Sequence, residues 1–250
     1  MQALSVKGLC LDFGGLRALW DVSFDIHIGE RVAIIGPNGA GKTTLFNVLN
    51  GQLKATAGRV SLFGQDITRL TTYERVHLGM SRSFQLTTLF LNLTVLDNTL
   101  LAFQGILPSR FQLLKPLSSY RSLYHKAREL LGSMALWEKR NEPVTTISYG
   151  EQRKLEIALA LASRPKLLLL DEPNCGLTAS ENTEMIAQLR KLGTEITVIL
   201  VAHDMDLVFG FAEKIIVFHY GKIISQGTCD EIRRDERVKE VYMRSQETSG

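Results

Sequence analysis

The sequence predicts an α/β fold with a mainly parallel central sheet, a flanking antiparallel β-subdomain and an inserted helical subdomain. Continuous apolar runs at 167–170 and 197–202 are typical of strands buried on both faces of a parallel sheet. Alternation of apolar and polar residues over 21–28 predicts a half-buried antiparallel strand. Helical patterns dominate 71–165. These observations predict one domain, 1–250, divided into a core of 1–70 and 166–250 and a helical subdomain of 71–165.

The strands near the N-terminus are expected to form the antiparallel subdomain. Two short strands are predicted at 9–13 and 59–63 beside the alternating strand, each closed by glycine. Phe13 ends the first of these strands at a glycine turn, where its ring could join the core or face a ligand. A single phenylalanine more commonly belongs to the core.

A phosphate-binding loop is indicated by the pattern G-x-x-x-x-G-K-T, which begins at Gly36. It stands between a strand-like run at 31–35 and a helical pattern at 43–51. Glycines remove Cβ atoms from the inside of the turn, so backbone N–H groups and the positive end of the helix can face an anion. The expected core is that of a P-loop NTPase that binds a nucleoside triphosphate and Mg²⁺, with Lys42 on the β- and γ-phosphates and Thr43 on the metal. The candidate nucleotide-binding residues are Gly36, Asn38, Gly39, Ala40, Gly41, Lys42, Thr43 and Thr44.

The helical segment carries recognisable start signals. Thr94 and Asp97 have the spacing of a helix cap, and apolar residues recur at helical spacing through 119–136. The prolines and glycine of 105–116 predict a loop between helices. Gln85 lies near the start of this segment, where a single glutamine indicates no function by itself.

A further helix is predicted to begin after Ser148, which forms a capping box with Glu151. Its buried stripe would be Leu155, Ala158, Leu159 and Ala162. Gly150 lies in the first turn, where glycine costs about 1 kcal/mol relative to alanine. A close approach of the backbone to a ligand would explain a glycine at this position.

Two adjacent acids end the apolar strand at the edge where α/β proteins bind ligands. Because neighbouring side chains on a strand point to opposite sides, Asp171 and Glu172 are expected to serve a metal and a water separately. His203 follows the next buried strand on the same edge, where structural and functional roles are equally expected. A hairpin around Gly221 and a helical tail from Asp230 complete the chain.

Composition excludes several classes of protein. The chain is 45% hydrophobic and 22% charged, which is ordinary for a globular domain. A net charge of +3, with basic residues scattered among acids, predicts no binding to nucleic acid. No leader or membrane-spanning run is indicated, so a cytoplasmic protein is expected. The cysteines lack the spacing of a disulfide framework or zinc site.

The P-loop, the segment Ser148 to Gln152, the strand ending in Asp171 and Glu172, and His203 together resemble the ATP-binding subunit of an ABC transporter. The resemblance covers nearly the whole chain. It implies an ATPase that dimerises head to tail, so that the P-loop of one copy and the serine–glycine signature of the other enclose one ATP. The signature helix would end the helical subdomain.

The family resemblance also implies individual roles. Phe13 matches the aromatic residue that stacks on the base, and Gln85 matches the glutamine that links Mg²⁺ to the membrane partner. Catalysis would use Glu172 as general base on the attacking water, His203 as sensor of the γ-phosphate, Lys42 and Gln85. The metal ligands would be Thr43, Gln85 and Asp171, while Ser148, Gly150 and Glu151 would serve the ATP of the opposite protomer.

Four segments are most similar to subunits of branched-chain amino acid importers, with urea-type relatives close: 13–16, 93–98, the signature, and 221–242. The implied protein is a peripheral subunit on the cytoplasmic side of the cell membrane, in a homodimer or a heterodimer with a second ATP-binding subunit. Permease subunits would contact it near Gln85 and the helical subdomain. A solute-binding protein would act indirectly, and no nucleic acid is implied.

One position departs from the family pattern, because Thr178 stands where an aspartate usually lies at the dimer interface. Weak communication between the two ATP sites is therefore expected. The alternatives are an ABC ATPase of a lipid or lipopolysaccharide exporter, a soluble ABC ATPase that does not act in transport, and a metabolic P-loop kinase. A chain of 250 residues has no room for two fused cassettes, and a kinase would not need the signature.

Overall fold

A computed structural model describes residues 1–83, 89–106 and 121–247 of the chain. Its strands are β1 (Gln2–Phe13), β2 (Leu16–His27), β3 (Arg31–Ile35), β4 (Ala57–Leu62), β5 (Gln65–Asp66), β6 (Met80–Arg82), β7 (Leu167–Asp171), β8 (Thr197–Val201), β9 (Lys214–His219) and β10 (Lys222–Gly227). Its helices are α1 (Lys42–Leu49), α2 (Thr72–His77), α3 (Val95–Gly105), α4 (Arg121–Ser133), α5 (Tyr149–Ala162), α6 (Ala179–Arg190), α7 (Met205–Phe211), α8 (Cys229–Arg234) and α9 (Glu236–Glu247).

The strands of the described residues form two sheets. The larger has the order β10-β9-β3-β8-β7-β6, in which every neighbouring pair is parallel except β10 with β9. The smaller has the order β2-β1-β4-β5 and is antiparallel throughout. The predicted α/β architecture, with its mainly parallel sheet and antiparallel subdomain, is confirmed.

The central strand β3 divides two hydrophobic cores, because its successive side chains point to opposite faces of the sheet. Val32 and Ile34 pack toward the antiparallel sheet and α1. Ala33 and Ile35 pack on the other face, against residues of α5, α6 and α7. The β3 strand is therefore buried on both faces and paired on both edges up to the point where the glycine-rich loop begins.

The first strand is longer than the sequence predicts, since β1 begins at Gln2 and the prediction began at residue 9. Gly8 lies in the left-handed region at φ 59°, and the pairing of β1 with β2 shifts register between Val6 and Leu9. A glycine that accommodates a bulge has the same appearance in a sequence as a glycine that ends a strand. The bulge at Gly8 therefore explains why the predicted strand begins too late, at residue 9.

The segment 71–165 contains α2, α3, α4 and α5 in its described part, as its pattern predicts. Thr94 caps α3 by accepting a hydrogen bond from the backbone N–H of Asp97. The segment also contains β6, which pairs with β7 in the main sheet and which the sequence pattern missed. The division into subdomains stays a prediction, and the predicted loop at 105–116 lies largely outside the described residues. Within the ranges described, no helix is long and apolar enough to cross a membrane.

Candidate functional site

The glycine-rich loop connects the carboxyl end of β3 to α1, as predicted. Gly36 has φ 150° and Gly41 has φ 101°, both of which glycine adopts without steric cost. A Cβ atom on Gly36 would lie 3.0 Å from the carbonyl carbon of Phe218, and one on Gly41 would lie 2.9 Å from the carbonyl oxygen of Ala18. These glycines therefore permit close packing against β9 and β2 as well as the turn itself.

Neighbouring strands hold this loop in place. The carbonyl oxygen of Ala40 accepts a hydrogen bond of 2.9 Å from the N–H of Gly221, in the turn between β9 and β10. The carbonyl oxygen of Gly221 accepts one of 2.9 Å from the N–H of Trp20 on β2. These two hydrogen bonds connect the glycine-rich loop to the turn between β9 and β10 and, through that turn, to β2.

Lys42 lies inside the loop and is buried. Its ammonium group donates to the carbonyl oxygens of Gly36 at 2.7 Å and Pro37 at 2.9 Å. Burial lowers the pKa of Lys42, and the nearby charges of Glu172 and Asp171 oppose that shift. The N–H groups of the first helical turn have no partner within the helix, so the loop and α1 present an anion site with a cation beside it.

Asp171 is the last residue of β7 and is buried. Its Oδ2 atom accepts a hydrogen bond of 2.6 Å from Arg82 Nη2, and Arg82 Nη1 donates to Asn47 Oδ1 on α1 at 2.6 Å. Burial raises the pKa of Asp171, while the ion pair with Arg82 opposes the shift. The Oδ1 atom has no hydrogen-bond partner among the described residues, so a carboxylate oxygen is available to a hard cation.

Glu172 lies just beyond β7 with φ 47°, in the left-handed region. The strand β7 ends at Asp171, so Glu172 is not part of it and strand alternation does not apply to this pair. The turn at Glu172 sets the position of its side chain relative to that of Asp171. Its backbone N–H donates to the carbonyl oxygen of Val201 at 2.9 Å. Its Oε1 atom lies 2.5 Å from Nε2 of His203, so the two residues share a hydrogen bond at the carboxyl edge of β7 and β8.

Asp204 belongs to the same edge, and the sequence analysis did not identify it. Its Oδ1 atom accepts the N–H groups of Asp206 and Leu207 and so caps α7. Its Oδ2 atom accepts from Nδ2 of Asn174 at 3.1 Å and from Nδ2 of Asn182 at 2.8 Å. An aspartate before a helix is a recognisable cap signal, but the two asparagine partners come from elsewhere in the fold.

The signature segment forms the predicted capping box. Ser148 Oγ accepts the N–H of Glu151 at 3.2 Å, and Glu151 Oε2 accepts the N–H of Ser148 at 2.8 Å. Gly150 is covered by the carboxyl group of Glu181 in the same chain, and a Cβ atom there would lie 2.9 Å from Glu181 Cδ. A Cβ atom there would displace the carboxyl end of the flexible Glu181 side chain, so Gly150 brings this carboxyl group close to the first turn of α5.

The remaining predicted residues have clear positions. Phe13 is 49% exposed, so of the two positions open to its ring the structure favours the one that faces away from the core. Thr178 caps α6, donating to Glu181 Oε2 at 2.8 Å and accepting from the N–H of Glu181 at 3.3 Å. Thr43 and Thr44 lie in the first turn of α1. Gln85 lies outside the described residues.

Tyr242 of α9 is a second residue of the site for which the sequence pattern predicts no role. The backbone of Gly36 hydrogen-bonds its phenol group, and its ring packs on the core face that includes Ile35. Burial raises the pKa of Tyr242 to about 12, so the phenol is neutral at physiological pH. The C-terminal helix therefore contacts the first glycine of the phosphate-binding loop.

Comparison with sequence families gives a match to the ABC transporter family over residues 19–175. The High-affinity branched-chain amino acid transport ATP-binding protein LivG of Escherichia coli strain K12 is 38% identical over 248 residues, covering 96% of this chain and 97% of the relative. The corresponding protein BraF of Pseudomonas aeruginosa is 36% identical over 249 residues, with coverage of 96% and 97%.

Solved structures of the same shape include a nucleotide-free ATP-binding cassette from an ABC transporter, with a TM-score of 0.87 and 31% identity over 97% of this chain and 99% of that one. An ATP-binding cassette in its ADP conformation has a TM-score of 0.85 and 30% identity, with coverage of 97% and 99%. A dimeric post-hydrolysis cassette bound to ADP and Pi has a TM-score of 0.75 and 27% identity, with coverage of 90% and 98%.

Proposed function

The chain belongs to the family of ABC transporter ATP-binding subunits, and on this premise we propose that it powers the import of branched-chain amino acids or a similar small polar solute. As a member of that family it binds and hydrolyses ATP. The choice of solute is supported by near full-length similarity to two branched-chain amino acid transport proteins.

One observation carries the proposed chemistry: Lys42, Asp171 and the Glu172–His203 pair lie at or just beyond the carboxyl ends of β3, β7 and β8, which are consecutive in the sheet order β3-β8-β7. Phosphate would bind to the loop N–H groups and Lys42. Glu172 would orient a water and accept its proton as the water attacks the γ-phosphorus in line and the bond to ADP breaks. His203, hydrogen-bonded to Glu172, would sense the γ-phosphate.

The residues at this edge also fit Mg²⁺. Proteins usually hold Mg²⁺ through one or two carboxylates together with substrate phosphates, and Asp171 Oδ1 is a buried oxygen without a protein partner among the described residues. We assign Thr43, Asp171 and Gln85 to the metal. When bound, Mg²⁺ would neutralise charge on the phosphates during transfer.

The proposed assembly follows the family arrangement. A second ATP-binding subunit, identical or different, would supply Ser148, Gly150 and Glu151 to the opposite nucleotide, while Phe13 would stack on the base. The exposed ring of Phe13 supports the stacking role. Permease subunits would bind near Gln85 and the helical subdomain on the cytoplasmic side of the membrane, and a solute-binding protein would act through them.

The proposed solute can be tested by deleting the gene in its native host and measuring the uptake of radiolabelled leucine, isoleucine, valine and urea. We expect reduced uptake of the three amino acids, restored by the wild-type gene and not by Glu172→Gln. Retained uptake of all three, with reduced urea uptake, would favour the urea-type alternative. Normal uptake of every solute, with an altered cell-envelope lipid content, would contradict an importer and favour the exporter alternative.

A further inference from the structure

Three segments meet at one carboxylate beside the proposed base and sensor. Asp204 Oδ2 accepts hydrogen bonds from Asn174, in the loop after β7, and from Asn182, in the first turn of α6. Asp204 Oδ1 caps α7 in the loop after β8. This group of three side chains, Asn174, Asn182 and Asp204, is called the asparagine clamp below.

The clamp is adjacent in sequence to both catalytic candidates. Asp204 directly follows His203, and Asn174 comes two residues after Glu172. Glu172 has φ 47°, a conformation that non-glycine residues keep only when surrounding structure enforces it. The clamp therefore joins the two turns whose relative position sets the hydrogen bond between Glu172 and His203.

The carboxylate of Asp204, which accepts both asparagine hydrogen bonds, is well suited to hold the two turns together. Hydrogen bonds to an ionised acceptor are shorter and about twice as strong as those between neutral groups. Asp204 is engaged through both carboxylate oxygens, which limits rotation of its side chain. The amide groups of Asn174 and Asn182 approach from different segments, so moving either segment alone breaks a contact.

We propose that the asparagine clamp is a set of positioning residues that holds His203 in place against Glu172 for ATP hydrolysis. The proposal rests on the role assigned to Glu172 under the proposed function. None of the three side chains is required to touch the nucleotide. Their loss should therefore slow turnover while leaving the loop around Lys42, and with it ATP affinity, unchanged.

The first test is Asn182→Ala, measured as steady-state ATPase activity of the assembled transporter. We expect kcat to fall about tenfold, as for loss of one hydrogen bond to a charged group, with the ATP dissociation constant within about twofold of wild type. Thr183→Ala is the matched control, because Thr183 is the exposed neighbour on α6 and its hydroxyl donates to the carbonyl oxygen of Ala179, its one side-chain hydrogen bond within the described residues. It should keep wild-type kcat.

The second test exchanges the partners. Asn182→Asp alone places two carboxylates face to face and should reduce kcat. Asp204→Asn alone removes the ionised acceptor and should also reduce kcat, because an amide that keeps capping α7 through its oxygen turns its NH₂ group toward Asn174 and Asn182. The double variant restores an amide opposite a carboxylate, retains an N-cap at residue 204, and should recover most of the lost kcat. The melting temperature is measured for all three variants, so that a loss and rescue of kcat without a matching loss and rescue of stability marks a positioning role.

Two results would overturn the clamp proposal: a folded Asn182→Ala variant with kcat within twofold of wild type, or a double variant no more active than the single ones. Failure of the proposed function is separable from these outcomes. It would appear as a Glu172→Gln variant that still hydrolyses ATP at the wild-type rate, whatever the clamp variants do.

Discussion

The two halves of the nucleotide site are built in different ways. The phosphate-binding half is local: Lys42 Nζ bonds to the carbonyl oxygen of Gly36, only 6 residues away in the chain. The acid–histidine half is assembled from remote parts: Arg82 and Asp171 are 89 residues apart, and Glu172 and His203 are 31 apart. The first half depends on backbone shape and the second on the order of strands in a sheet.

This difference leads to separable effects of mutation. Changes in the local half should weaken nucleotide binding, because under the proposed function that half would supply N–H groups and one cation to phosphate. Changes in the remote half should reduce turnover, because that half would supply the proposed base and its neighbour. Variants of Glu172 and Lys42 would test this separation directly. Variants of Phe13 and Thr178, with smaller expected effects, would extend it to base stacking and to coupling between two ATP sites.

Glu172→Gln should have the largest effect, in the remote half. The amide preserves shape and hydrogen bonding but cannot accept the proton of water, so kcat should fall about 10²- to 10⁴-fold while ATP still binds. Sedimentation with ATP and Mg²⁺ should show a trapped dimer. A monomer under these conditions, or phosphate release near the wild-type rate, would mean that the role is misassigned.

Lys42→Ala should have the largest effect on binding, in the local half. Loss of a charge-assisted contact to phosphate should weaken ATP affinity by at least about tenfold, measured by titration calorimetry. Lys54→Ala, which removes an exposed lysine beyond α1, is the control and should bind normally. An affinity within about twofold of wild type, or roughly 0.4 kcal/mol, would be incompatible with the phosphate-binding role.

Phe13→Ala should produce a smaller loss of binding. Stacking of a base on an aromatic ring is worth about 1–3 kcal/mol, so ATP affinity should drop while the melting temperature changes little, because the ring is half exposed. Leu16→Ala, directly across the strand pair from Phe13, is the matched control for lost apolar surface. A steep drop in melting temperature with unchanged affinity would assign Phe13 to folding.

Thr178→Asp should have the smallest effect. Threonine carries no charge, and we expect the wild-type transporter to show weak cooperativity in ATP. Aspartate should raise the Hill coefficient, by a coupling of at most a few kcal/mol. An aspartate at position 178 is still a good N-cap for α6, although its carboxylate cannot donate a hydrogen bond to Glu181 as the Thr178 hydroxyl does. Thr178→Asn caps without charge and should leave the coefficient unchanged.

Either of two outcomes would contradict this last prediction. Strong cooperativity in the wild type would place the coupling in other interface residues. An unchanged Hill coefficient in a folded, active Thr178→Asp variant would show that this position does not report on the opposite site.

The local half of the site could be read from the sequence almost completely. The spacing of Gly36, Gly41 and Lys42 implies the loop, and the flanking apolar patterns place it between β3 and α1. The capping box of Ser148 and Glu151 was equally predictable, because its two members are one helical turn apart. In each case the interacting groups are close in sequence, so spacing alone defines their geometry.

Short strands and unusual backbone angles were less predictable. The strand β6 has only Met80–Arg82 and carries no alternation that a pattern could detect, yet it brings Arg82 to Asp171. The left-handed conformation of Glu172 also lacks a signal, because glutamate has no preference for that region. Both features are enforced by neighbours that the sequence does not place beside them.

By itself, therefore, the sequence determined the strand-to-helix loop, the helix caps at Thr94 and Ser148, the alternation of apolar faces and the family, since all of these depend on residues close together in the chain. Only the tertiary structure decided that Arg82 pairs with Asp171, that Glu181 covers Gly150, that Tyr242 meets Gly36 and that Asp204 joins Asn174 to Asn182. The physical reason is that these contacts follow from the order of strands in the sheet and from helix packing. Hydrophobic burial drives that assembly without regard to sequence separation, so the polar partners it brings together cannot be identified from spacing.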